Sequence, residues 1–159
     1  MNVLRIVAWS VLVLTGCSNG AGPVLPDLPP CPGPMCDCAD PDDCTCMSRS
    51  ECALTCGDAC SFACREDSTC ASAAGNGANL SCVEDTTCTL YAGDDSNVTC
   101  TAANCTVEVG AGSNVSCRDR GTCEVTCLGS CNVSCSGSTV CRRRCGTGGA
   151  VMEGSGMCP

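Results

Sequence analysis

Cysteine is the residue type in this chain that dominates its possible chemistry. There are 23 Cys in 159 residues, far above ordinary usage. Thiols at that density can cross-link as disulfides, bind metal as thiolates, or act as nucleophiles. Their spacing separates these uses. No C-x-x-C occurs anywhere, only Cys36/Cys38 and Cys44/Cys46 form C-x-C, and there is no His. Zinc ribbons, thioredoxin-like redox sites and c-type haem attachment all lack their motifs, so no metal and no other cofactor is expected. A Ser or Cys nucleophile would have no imidazole base. Phosphate loops and dinucleotide fingerprints are missing. Paired carboxylates for glycoside hydrolysis need a cleft, which a chain of short turns does not build. The residues therefore read as non-catalytic, with the cysteines paired.

The cysteines recur with a period. Cys46, Cys64, Cys82, Cys100, Cys117 and Cys135 are spaced 18, 18, 18, 17 and 18 apart, and Cys52, Cys70, Cys88, Cys105, Cys123 and Cys141 repeat those spacings. Both columns share one deletion, between Cys100 and Cys105. Let each unit start at its first Cys as place 0, with its second Cys at place 6. Place 8 is usually apolar (Leu54, Leu90, Val107, Val125), and place 10 is Cys56, Ala74, Ala92, Val109, Cys127 or Cys145. Place 11 is Gly in five of six units, and place 16 is Phe62, Leu80, Val98, Val115, Val133 or Val151. Small or apolar residues at 6, 8, 10 and again at 14, 16, 18 have period two, the mark of strands with one buried face. The gaps are turns, where Gly at place 11 would allow a positive φ.

Two short strands per unit, stacked unit on unit, predict an all-β fold: a small disulfide-stapled parallel β-solenoid of about six 18-residue coils. Six coils at about 4.8 Å make a rod of roughly 29 Å. A three-faced coil is the alternative, because 18 is also three hexapeptides. It would want an apolar residue every six places, and place 12 is mostly Asp, Asn or Ala, so two faces fit better.

Places 10 and 14 hold Cys together in units one and five (Cys56 with Cys60, Cys127 with Cys131) and lack it together in units two to four. Joint presence and absence suggests partners across the tight turn. The same geometry at places 0 and 6 pairs Cys46–Cys52, Cys64–Cys70, Cys82–Cys88, Cys100–Cys105, Cys117–Cys123 and Cys135–Cys141. Cys31, Cys36, Cys38, Cys44, Cys145 and Cys158 remain, enough to pair among themselves. Each short loop contributes only ~2 kcal/mol by chain entropy. A competing pattern joins like places in adjacent coils, since ~4.8 Å also suits a disulfide. Such staples are needed: apart from Trp9 near the start, Phe62 and Tyr91 are the only aromatics, and a core that poor in bulk needs covalent help.

Places 15 and 17 point outward from the second strand. Asn79, Asn97, Asn114 and Asn132 form one column and Ser81, Thr99, Ser116 and Ser134 the next, a polar face that is either simply solvated or a platform for a glycan or another protein. The wide turns carry Glu66/Asp67 and Glu84/Asp85, and Asp94/Asp95 lie in a tight turn. Stacked carboxylates could take Ca²⁺, although no calcium-repeat pattern or EF-hand spacing is present and solvated acidic turns are the simpler reading. Arg142, Arg143 and Arg144 in the last unit suggest that the core ends there and that charge blocks further edge pairing.

The chain has no Lys. Without Arg5 it carries seven Arg against 17 Asp plus Glu, a net charge near −10. That excludes the basic surface nucleic-acid binding needs and disfavours docking to anionic lipid heads.

The N-terminus supplies an address. Arg5 precedes an apolar stretch from Ile6 to Leu14, too short to span a bilayer, which ends Leu14-Thr15-Gly16-Cys17. This resembles the lipobox of bacterial lipoproteins. The resemblance implies a signal peptide over 1–16, diacylglyceryl transfer to the Cys17 thiol, cleavage before Cys17 and N-acylation, giving the multi-chain anchor that one acyl chain cannot supply. Ser18 in the following position resembles outer-membrane cargo. Residues 17–30 are then a lipidated Pro/Gly-rich tether, 31–45 a Cys-rich acidic cap, 46–152 the repeat and 153–159 a C-terminal cap. The whole pattern is similar to cysteine-rich repeat lipoproteins of Gram-negative bacteria. It implies an envelope protein with a structural or interaction role, or else a ligand-binding module for glycan or Ca²⁺.

Overall fold

The computed structural model describes residues 36–40, 43–137 and 139–159; the signal, Cys17, the tether and Cys31 lie outside them. The fold is all-β, and the described residues contain no helix. The described residues form fifteen strands, which alternate between two sheets from β2 to β13: β1 (Cys36–Asp40), β2 (Asp43–Cys46), β3 (Glu51–Cys56), β4 (Ser61–Cys64), β5 (Thr69–Ala74), β6 (Asn79–Val83), β7 (Thr87–Ala92), β8 (Asn97–Thr101), β9 (Asn104–Val109), β10 (Ser113–Arg118), β11 (Gly121–Cys127), β12 (Cys131–Cys135), β13 (Thr139–Cys145), β14 (Val151–Glu153) and β15 (Gly156–Cys158). One sheet runs β1-β2-β4-β6-β8-β10-β12-β15 and the other β14-β13-β11-β9-β7-β5-β3. Successive coils pair in parallel and in register, Cys64 beside Cys82 beside Cys100 in one sheet and Cys70 beside Cys88 beside Cys105 in the other. The molecule is a two-faced β-solenoid of about six turns.

Period two is what buries one side of each strand. In β7 buried residues alternate with exposed or half-buried ones, with Cys88, Leu90 and Ala92 inside. The core is one narrow column between the sheets, with Phe62, Leu80, Leu90 and valines 98, 107, 109, 115 and 133 as its largest fully buried side chains and bridged sulfurs around them. Ser72 takes place 8 in the second unit, stacked between Leu54 and Leu90, with a fully buried hydroxyl that has no hydrogen-bond partner among the described residues.

The turns differ from the expectation in one respect. Place 11 does not carry the positive φ in the first four units. In the tight turn that conformation falls two places later, at Ala59 (60°), Gly77 (68°), Asp95 (55°) and Gly112 (72°). In units two to four Gly at place 11 is required by closeness instead: a Cβ on Gly75 would lie 2.8 Å from the Asp58 backbone N, and one on Gly93 would lie 2.9 Å from that of Asn76. The wide turn holds two consecutive left-handed residues in each of the first three coils, Ser48–Arg49, Glu66–Asp67 and Glu84–Asp85. The fourth coil, one residue shorter, keeps only Ala102 in that conformation.

The ends also differ. The parallel stack already begins at β2, in the segment read as a cap, where Cys44 sits beside Phe62 and is buried. At the other end the sixth unit is only half a coil. Val151, expected inside at place 16, is 51% exposed in β14, which turns back antiparallel onto β13. β15 then lies antiparallel on β12. The Arg142–Arg144 edge is thus paired rather than left bare. Arg143 enters the inward position and its Nη1 donates to the carbonyls of Gly154 (2.6 Å) and Ser155 (2.9 Å). Its charge ends the apolar column by tying down the cap.

Candidate functional site

Two arrays of side chains repeat with the coils: sulfurs inside and polar groups outside. The sulfurs are joined in pairs. Wide-turn bridges link Cys46–Cys52, Cys64–Cys70, Cys82–Cys88, Cys100–Cys105, Cys117–Cys123 and Cys135–Cys141. Tight-turn bridges link Cys56–Cys60 and Cys127–Cys131. The structure thus brings together each of the eight pairs drawn from the spacing, within coils and not between them. Cα–Cα distances run from 5.9 to 6.6 Å, as disulfides require. A ninth bridge, Cys145–Cys158, was not assigned from sequence. It stacks on Cys127–Cys131, because β15 sets Cys158 beside Cys131 and β13 sets Cys145 beside Cys127. Cys44 is disulfide-bonded as well.

Where units two to four lack the tight-turn bridge, polar groups hold the turn. Asn76 N donates to Asp58 Oδ1 (2.7 Å), Asp94 N to Asn76 Oδ1 (2.8 Å) and Ala111 N to Asp94 Oδ1 (2.7 Å). Within the same turns, Ala78 N donates to Ser96 Oγ and Ser96 N to Ser113 Oγ, both at 3.1 Å. Each side chain satisfies an amide of the adjacent coil; the Ala78 and Ser96 amides are buried, where a backbone donor demands a partner. Asp94 therefore has a structural partner. These contacts were legible only as small or polar residues at places 12 and 14.

The outward columns align. Asn79, Asn97, Asn114 and Asn132 lie side by side across four strands, as do Ser81, Thr99, Ser116 and Ser134. The Asn column is exposed throughout. Asn97 Nδ2 donates to Asn79 Oδ1 at 3.4 Å, and Arg118 Nε to Ser116 Oγ at 2.9 Å. Regularly spaced amides and hydroxyls on a flat sheet can donate to and accept from a ligand's hydroxyl groups. Comparison with protein-family models, with curated proteins and with solved structures finds no match to this chain.

Two of the wide-turn acids have partners in the turn of the first coil. Ser48 Oγ donates to Glu66 Oε2 (3.0 Å), and Arg49 pairs with Asp67 (3.4 Å). With Arg49 and Asp67 side chains 82% and 53% exposed, that pair adds little stability. Among the described residues no three carboxylates bring oxygens within 4.8 Å of one another. At the C-terminal end Arg142 pairs with Glu124 (3.2 Å) beside an open hollow of about 380 Å³ that Arg144 and Val151 also line.

Proposed function

We propose that this chain is a cell-envelope lipoprotein, held on the outer membrane through Cys17, whose rod has a structural or interaction role and no catalytic one. The observation that carries this reading is the oxidation state. Cysteines from Cys44 to Cys158 are disulfide-bonded, and disulfides in such numbers persist in oxidising compartments. The Leu14–Cys17 motif supports the anchor, and a core of cross-linked coils makes a stiff support. The test is fractionation of the full chain beside Cys17→Ser. The unaltered chain should partition with membranes and carry the mass of acyl groups at its new N-terminus, and the variant should move to the soluble fraction. An unaltered chain that is soluble and unmodified overturns the anchor.

The registered Asn and Ser/Thr columns favour a second reading, a module that binds a glycan on that face. Calorimetric titration with cell-wall glycans and with Ca²⁺ separates the two. Heat with a glycan, lost in Asn97→Arg, supports the binding module, and heat with neither supports the structural role.

A further inference from the structure

In the first three coils the sulfurs of separate bridges approach one another. Those of Cys46, Cys64 and Cys70 all lie within 4.8 Å of each other, and so do those of Cys64, Cys82 and Cys88. Each group combines one sulfur of a bridge with both sulfurs of the next bridge along. Cys64 belongs to both groups, so three bridges are linked in series. These five residues are at most 2% exposed, so water and dissolved thiols are excluded from the interior of the column. Among the described residues, no such group joins Cys100–Cys105 or Cys117–Cys123 to a neighbour. The series therefore stops where the one-residue deletion changes the wide turn.

We propose that coils one to three contain an internal thiol–disulfide relay, an activity that goes beyond the anchored-rod reading and does not depend on the lipid. Cys52 is itself only 3% exposed, so entry requires the edge strand β3 to open locally; an external thiol of the envelope, as its thiolate, then attacks Cys52. A mixed disulfide forms, the Cys46–Cys52 bond breaks and Cys46 leaves as the thiolate. Cys46 then attacks Cys70; the Cys46–Cys70 bond forms and Cys64 leaves with the electron pair. Cys64 attacks Cys88 in turn, and Cys82 leaves as the thiolate. Every step exchanges one S–S bond for another, so the relay itself has no net oxidation. A thiolate that enters at coil one emerges at coil three. Because the thiolate is the nucleophile, exchange accelerates as pH rises.

The test uses the full oxidised chain with single substitutions, purified in acid, shifted to mildly alkaline buffer, alkylated and mapped by peptide mass spectrometry. Cys52→Ser leaves Cys46 as the thiol. The label should shift from Cys46 to Cys64 and Cys82, with Cys46–Cys70 and Cys64–Cys88 bonds appearing. Cys70→Ser starts the relay one coil later and should move the label from Cys64 to Cys82. Cys123→Ser leaves Cys117, which should keep the label. Label that stays at Cys46 and at Cys64 overturns the proposal, and so does equal migration in Cys123→Ser, which would mean general scrambling. The unaltered chain under limiting reductant keeps the question open to test should a variant fail to fold: the same two cross-coil bonds are expected, and their absence counts against the relay.

Discussion

A single column of glycine shows how one residue type answers to different forces along the rod. Gly57 and Gly75 both stand at place 11, and neither has a positive φ. A Cβ on Gly57 would meet nothing within 4 Å, whereas one on Gly75 would lie 2.3 Å from Asp58 Oδ1 and 2.8 Å from the Asp58 backbone N. The side-chain oxygen could shift, but it accepts the Asn76 N–H, and the backbone of the coil below cannot move without its own neighbours. Gly75→Ala should therefore destabilise by about 1–3 kcal/mol, the usual scale of overpacking. Gly57→Ala should be neutral or stabilise by up to about 1 kcal/mol through the unfolded chain. Denaturant unfolding of the two variants under non-reducing conditions measures both; equal losses would return the explanation to backbone freedom.

At the scale of strands and turns, what could be read from sequence was whatever repeats. Leu54, Leu90, Val107 and Val125 share a place because they share an environment, so alternation located the strands and their buried face. Joint gain and loss of Cys56 with Cys60 and of Cys127 with Cys131 marked partners across a turn because a half-bridge is useless. The polar columns from Asn79 to Asn132 were legible for the same reason. Non-repeating features were not legible. The place-11 glycines invited a φ argument, yet the left-handed positions are filled by Ala59 and Asp95 as readily as by Gly77, and only the distance between coils distinguishes the cause. Val151 matched its column in sequence but not in space. The last parallel strand has no further coil to receive it, and Arg143 fills the inward position with a charge that needs the 154–155 carbonyls. Antiparallel closure satisfies both, and no spacing announces it. The Cys145–Cys158 bridge follows from that reversal, so it was invisible for the same reason.

At the scale of the molecule, each coil touches only its neighbours, and the stack is as stable as its repeated interfaces. Among the described residues those interfaces bury one aromatic ring, Phe62, together with Leu, Val, Ala and Cys and a few Ser and Thr. Apolar burial at about 25 cal/mol per Å² is small for side chains of that size, while ordering the backbone costs about 1–2 kcal/mol per residue. The bridges change the balance by restricting the unfolded chain, at ~2 kcal/mol for each short loop. Against a net stability of about 5–15 kcal/mol for an ordinary domain, losing all of them should be decisive. Reduction and alkylation of the full chain should therefore abolish the far-ultraviolet strand signal and resistance to protease, at a temperature where the oxidised chain retains both. The isolated ion pairs at Arg49–Asp67 and Arg142–Glu124 are too exposed to compensate. A reduced chain that keeps its strand signal would mean that backbone pairing and the thin apolar column suffice, with the sulfurs present for exchange chemistry rather than for support.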